Sequence, residues 1–355
     1  MKITFVTAIL LLTLLQHLPA KTEFAVYPSL GFSDETGIYA GGLTYIRYNC
    51  INGDSTSKKN LIYFASEISE KKQFSIHLKP ELHFYKQRYT LITNFKAKHW
   101  PSTYYGIGNN YNPEISERYT KRKFDIEVEV IKNISKFWQA SLIYDLTNYR
   151  IVKMEENGLL ASEEIPGSED NITSGLGFAI NYDKRNSNTY PINGYQYSFK
   201  TIFFSSLFAS DYSFLQNEID LRYYIPIFPS QTLAIQTYFS TISDKVPFHK
   251  LSYLDDNMRA LTSNKFIDRN ALVFRLENRI FPWSSQLLER IGFIIFFESG
   301  EVAESLDDFS IDGLKLSYGA GFRVSFLMND RLNVRLDIGF GEKNRSLSMG
   351  SREEF

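Results

Sequence analysis

The chain has 355 residues, a formal net charge of −1 and one cysteine, Cys50. That balance gives no support for nucleic-acid binding, and a lone cysteine excludes an intrachain disulfide framework. Aromatic residues make up 15% of the chain at a mean hydropathy of −0.24, too polar for a bundle of membrane helices and too aromatic for an average soluble domain. The profile is that of a barrel whose strands turn one side to lipid and the other to water, between two aromatic girdles.

The first twenty residues read as an export signal. Lys2 precedes an apolar stretch, 3–15, and Leu18-Pro19-Ala20 predicts cleavage after Ala20, which leaves residues 21–355 as a single barrel domain. No cysteine stands directly after the cut, where Lys21 follows Ala20, which argues against a lipid anchor. The longest apolar run beyond it, 291–297, is too short for a membrane-spanning helix.

The rest is strand after strand. Period-2 patterning predicts strands over 24–33, 37–48, 60–69, 72–84, 88–99, 120–132, 137–150, 171–183, 194–205, 211–225, 231–240, 270–281, 290–298, 313–326, 331–341 and 346–355. The class is therefore all-β, an antiparallel transmembrane β-barrel of sixteen strands. Connections after even strands are short or carry Pro, as at Tyr85-Lys86-Gln87, Pro191-Ile192-Asn193 and Pro282-Trp283. Those after odd strands include four long polar ones, 100–119, 151–170, 241–269 and 299–312, and this asymmetry is that of an outer-membrane barrel. Pro80 falls inside the fourth strand and predicts a bulge or a local break. The last strand, 346–355, has a weak apolar face and should pair poorly with its neighbours.

The alternation also assigns faces. Val334 and Leu336 point to lipid, Arg335 and Asp337 to the lumen; Arg275, Glu277 and Arg279 point inward, as do Ile294, Phe296 and Glu298. Gly175, Gly177, Gly319, Gly321, Gly339 and Gly341 share the inward face, where they leave room for an inserted loop. His77, Glu81 and His83 also share it, but lumen faces are polar in any case, and no metal site or cofactor is expected. His99 and His249 lie at strand ends or in loops with no accompanying nucleophile motif, so no hydrolase is expected.

Several short motifs resemble the Omp85 family, the bacterial surface antigen D15 superfamily. Gly177-Phe178-Ala179-Ile180-Asn181-Tyr182-Asp183-Lys184-Arg185-Asn186 followed by Tyr190-Pro191-Ile192-Asn193-Gly194-Tyr195 is similar to its strand-turn-strand motif. Phe297-Glu298-Ser299-Gly300 resembles its acidic strand signature, and Phe355 resembles its barrel-insertion ending. Tyr27-Pro28-Ser29-Leu30-Gly31-Phe32-Ser33 and Tyr105-Gly106-Ile107-Gly108-Asn109 resemble the subgroup without periplasmic domains. The stretch 258–271 falls at the family's loop motif, with Ala260 where the family has Gly and Leu261 where it has an aromatic residue.

Taken with the alternation, the resemblance nominates a lumen latch. Loop 241–269 follows the eleventh strand, so it is extracellular and long enough to fold back inside. Arg259 on that loop would then pair with Glu298, with Glu277 and Asp268 completing the site; the bland alternative is a solvated loop arginine. The resemblance implies a non-enzymatic protein of the outer membrane of a Gram-negative-type bacterium, surrounded by lipid. It would act in assembly or translocation of protein or lipid through a labile seam between first and last strands, with a separate periplasmic or lipid-anchored partner. The alternative is a passive or gated pore in which the loop is a plug and the seam never opens.

Overall fold

The computed structural model describes residues 22–33, 37–49, 59–110, 116–162, 164–261, 264–285, 288–327, 331–341, 344–351 and 353–355. The expected signal over 1–20 and Cys50 lie outside the described residues. The strands are β1 (Glu23–Ser33), β2 (Gly37–Tyr48), β3 (Asn60–Ser69), β4 (Phe74–Phe84), β5 (Tyr89–Tyr104), β6 (Glu117–Asn133), β7 (Trp138–Lys153), β8 (Asn171–Asp183) and β9 (Gly194–Phe204). They continue with β10 (Phe214–Phe228), β11 (Gln231–Ile242), β12 (Ser252–Tyr253), β13 (Ile267–Asp268), β14 (Asn270–Ile280), β15 (Ile291–Ala303), β16 (Lys315–Leu327), β17 (Leu332–Gly341) and β18 (Asn344–Ser351).

Sixteen of these form one antiparallel sheet in which every strand pairs with its neighbour in sequence; β12 and β13 form a separate two-stranded ribbon inside the connection from β11 to β14. The up-and-down order follows from short turns, because a few residues can only return the chain alongside the strand just made. Contacts far apart in sequence show how the sheet curls. Asn109, beyond β5, donates to the carbonyl of Gly313, before β16, at 2.7 Å. Among the described residues, no ladder joins β1 to β18, so these two strands are the edges of a seam.

The two faces of the wall invert the order of a soluble protein. On β15, Phe293, Ile295 and Phe297 are exposed while Ile294, Phe296 and Glu298 are buried; on β14, Phe274 and Leu276 are exposed while Arg275, Glu277 and Arg279 are buried. On β17, Leu336, Ile338 and Phe340 face out and Asp337 is enclosed. Exposed apolar rows around buried charge make sense only if the outside is lipid. Among the described residues, no helix is long and apolar enough to cross a membrane.

Three sequence expectations change in detail. Pro80 produces the local break and not the bulge: the β4–β5 register is the same on both sides of it, and the pairing of residues 79 and 80 with β5 is missing, because Pro lacks the N–H. The hairpins from β5 to β7 run further than patterning suggests, with 17 residues in β6, well beyond the ~9–11 that cross a membrane. Among the described residues β18 runs as far as Ser351, and 353–355 lie off the wall in the lumen.

The face assignment yields a direct expectation. Ile295→Arg places a charge on the lipid side of β15 and should cost about 2–4 kcal/mol near the midplane, whereas Gln216→Arg, on the lumen wall, should cost less than about 1 kcal/mol. Urea unfolding in lipid vesicles, followed by heat-modifiable migration, measures both, and equal losses would reverse the faces.

Candidate functional site

The connection from β11 to β14 folds into the barrel along a line of apolar anchors. Phe248 and Leu251 pack with Tyr104, Tyr119, Tyr149, Phe204 and Phe214 of the wall; Leu254, Met258, Leu261 and Phe266 pack with Ala271, Val273 and Val302. The Phe248 ring meets Tyr104 and Tyr149 edge-on at 5.5 and 5.7 Å, a favoured geometry for aromatic pairs. Polar pins hold the loop between these clusters. Lys250 Nζ donates to Asp145 at 2.6 Å, and Asn264 Nδ2 donates to Ser102 Oγ at 2.9 Å.

At the loop's inner tip lies Arg259. Its Nε donates to Glu298 Oε1 at 2.7 Å and its backbone N–H to Glu298 Oε2 at 2.6 Å, so both oxygens of one carboxylate are engaged. Its Nη1 donates to Glu277 at 2.9 Å and to Asp337 at 3.3 Å. The guanidinium lies 3.5 Å from the centroid of Phe296, and Ser317 Oγ donates to the Arg259 carbonyl. Three carboxylates from β14, β15 and β17 thus converge on one cation, and Glu277 and Glu298 are fully buried. These carboxylates hold the Arg259 pKa above its usual value despite burial, which opposes the charge. A second tier neutralises the rest: Arg279 Nε donates to Glu277 at 2.7 Å, and Arg323 pairs with Asp337.

Glycines make this approach possible. A Cβ added to Gly300 would lie 2.7 Å from Met258 Sδ, one on Gly339 2.8 Å from the Ala260 Cβ, and one on Gly341 2.4 Å from the Ala260 carbonyl. Gly319 instead makes room for the Phe296 ring, and Gly175 and Gly177 lie against Ile202 and the β9 backbone rather than against the loop. Ala260 holds φ +60°, the left-handed region, at a cost of about 1 kcal/mol relative to glycine. The position where the Omp85 motif has Gly therefore keeps a glycine-like backbone here, and Phe296 supplies the ring against the guanidinium.

Of the residues nominated from sequence, the structure brings Arg259, Glu298 and Glu277 together and leaves Asp268 apart. Asp268 pairs with Ser252 in the ribbon, and its carboxylate accepts its neighbour Arg269's backbone N–H at 2.8 Å. Asp337, Arg323 and Ser317 were not nominated; their inward parity was readable, but their convergence depends on how deep the loop descends. His77 bonds Asn94 at 2.7 Å and His83 bonds Thr90 at 2.9 Å, and no group of metal-ligating side chains occurs among the described residues.

A sixteen-stranded wall, apolar outside and charged inside, with an ion-paired loop in its lumen, defines an outer-membrane-type β-barrel. The chain belongs to the Omp85 superfamily, whose domain matches residues 64–345. Its fold is similar to that of BamA from Haemophilus ducreyi lacking POTRA domains 1–3, at 11% identity and a TM-score of 0.58, over 93% of this chain and 69% of that one. It is also similar to CdiB from Acinetobacter baumannii, at 11% identity and a TM-score of 0.56, over 93% of this chain and 59% of that one. No curated protein matches the chain in sequence.

Two expectations follow for the loop. Arg259→Ala leaves buried carboxylates short of a cation and should weaken loop docking by up to about 3–5 kcal/mol, and Glu298→Ala should add little to it. Protease sensitivity of the loop in single and double variants measures this; additive effects would make Arg259 a solvated residue. The second concerns His249, stacked 4.0 Å on Tyr149 with Nε2 2.8 Å from Asn171 Oδ1. Burial, then Lys123, Lys250 and Lys121, hold its pKa well below the usual value, so the docked ring stays neutral. An undocked histidine ionises near about 6.5. Docking is therefore at full strength above that pH and weakens as pH falls below it, because only the undocked state takes up the proton. Buried Asp256, whose pKa burial raises, acts in the opposite sense. Loop cleavage at about pH 5.5 against about pH 7.5, normalised to an unstructured peptide, should rise in the wild type and lose most of that rise in His249→Gln. An unchanged rise in the variant would exclude the histidine as its source.

Proposed function

We propose that this barrel acts, without covalent chemistry, in the assembly or translocation of outer-membrane components, and that it works by parting the wall between β1 and β18. The observation that carries this reading is the seam. Both edges present strand backbone with no ladder between them among the described residues, whereas a closed barrel leaves no edge at which an incoming strand could add. Arg259 and its three carboxylates act as the latch that keeps the loop in the lumen while the seam works. A separate periplasmic or lipid-anchored protein is the partner that delivers the client.

A gated pore is the second reading, and a specific feature favours it. Beside the loop lies a polar cavity of about 410 Å³ lined by groups including Lys96, Lys121, Lys123, Asp125, Glu127 and Lys200. Loop withdrawal would widen it into a charged passage.

Cross-linking separates the two. In a Cys50→Ser background, cysteines introduced at Ala25 or Tyr27 on β1 and at Ser346 or Ser348 on β18 should include a pair that oxidises to a disulfide. The cross-linked barrel should remain folded and heat-modifiable but fail to complement a deletion strain, and reduction should restore function. Full complementation by the oxidised protein would leave the pore reading in its place.

A further inference from the structure

Residues Glu353–Phe355 do not continue the last strand. Among the described residues, the β17–β18 register runs as far as Val334 opposite Ser351, and 353–355 take no part in it although the backbone of Leu332 still belongs to β17. The chain turns inward instead, and each of its next described residues finds a lumen partner. Glu353 accepts from Arg323 Nε at 2.8 Å and from Asn333 Nδ2 at 2.6 Å, and Glu354 pairs with Arg335. The Phe355 carbonyl accepts from Arg279 Nη2 at 2.8 Å. The Phe355 ring is buried against Tyr224 and Ala234, with the guanidinium of Arg275 at 4.8 Å from its centroid and that of Arg279 at 5.5 Å.

Arg275 explains why an aromatic ring belongs there. It stands opposite Glu298 in the β14–β15 register, but Arg259 already engages both oxygens of that carboxylate. The Arg275 Nε has no hydrogen-bond acceptor, and the side chain is buried. A ring face is what remains to balance a desolvated cation in that position.

We propose that Tyr224, Ala234, Arg275 and Arg279 form a receptacle for the aromatic side chain of Phe355, and that this receptacle ties the β18 edge of the seam to the ion cluster that holds the loop. Arg323 is the shared element: it bonds Glu353 of the inserted segment, pairs with Asp337, and lies 4.0 Å from Glu277, and those two carboxylates also bind Arg259. Seating Phe355 holds 353–355 off β17; releasing it frees the segment to pair onward along Leu332. Loop and seam edge are then two halves of one network, and this holds whether the barrel assembles clients or conducts.

Hydrogen exchange on the full chain in lipid vesicles, restricted to the heat-modifiable folded population, tests the assignment. Phe355→Ala should speed exchange of β18 amides by about tenfold and also raise exchange in 254–261, whereas Met349→Ala, on the lipid face of the same strand, should leave 254–261 unchanged. Arg275→Gln, which leaves the inserted segment intact, should reproduce the β18 effect in smaller degree and keeps the test valid if Phe355→Ala fails to insert. Combining the two should add little beyond Phe355→Ala. Unchanged β18 exchange in the Arg275 variant, additive effects, or faster β18 exchange with an unaffected loop would each overturn the proposal.

Discussion

A strand that turns one face to lipid must place its polar side chains on the other, so the lumen of a narrow barrel collects charge that water alone does not fully solvate. Here β14, β15 and β17 bring Glu277, Glu298 and Asp337 to one place; Arg279 and Arg323 of the wall pair with Glu277 and Asp337, and the three carboxylates share one further cation. The cation arrives from outside the wall, on a loop. Arg259 suits the task because its planar fork serves several oxygens at once and stays charged when buried. The rest of the interior follows from that contact: the loop must descend to reach it, and the wall must be shaped to admit the loop.

Descent is stabilised by apolar contact and permitted by missing side chains. Phe248 and Leu254 anchor the loop in two hydrophobic clusters, independently of the ion pairs at its tip. Gly300, Gly339 and Gly341 clear the path for Met258 and Ala260, and Ala260 accepts a left-handed backbone to point the next residue toward Val302 and its neighbours. The charges therefore specify where the loop stops rather than supply all of its binding. That division fits the energetics of buried ion pairs, which hold geometry more reliably than they add net stability.

The seam differs from the other strand junctions. Elsewhere each strand is paired on both sides, so opening the wall would break a whole ladder; among the described residues, no ladder joins β1 to β18. The segment 353–355 occupies the lumen beside that edge and shares Arg323 with the ion cluster around Arg259. An interior cluster and a wall junction are thereby connected through a few side chains, which is the kind of contact that can bias two states of a protein together.

Much of this was legible in the sequence. Period-2 patterning located all sixteen wall strands, because side-chain direction on a strand is a local property that lipid on one side makes obligatory. The same parity put Glu277 and Glu298 in the lumen, and the length of the loop after β11 made Arg259 available to them. What the sequence could not supply was depth and curvature. Asp268 was nominated with the latch but pairs in the ribbon opposite Ser252; Asp337 joins it because β17 curves round to meet the loop tip. Phe355 reads as the end of a strand, and only the closing of β10, β11 and β14 around Tyr224, Ala234 and Arg275 makes it a lumen residue. Local alternation determines which way a side chain points; what it meets there depends on strands far away in the chain, and that only the tertiary structure decides.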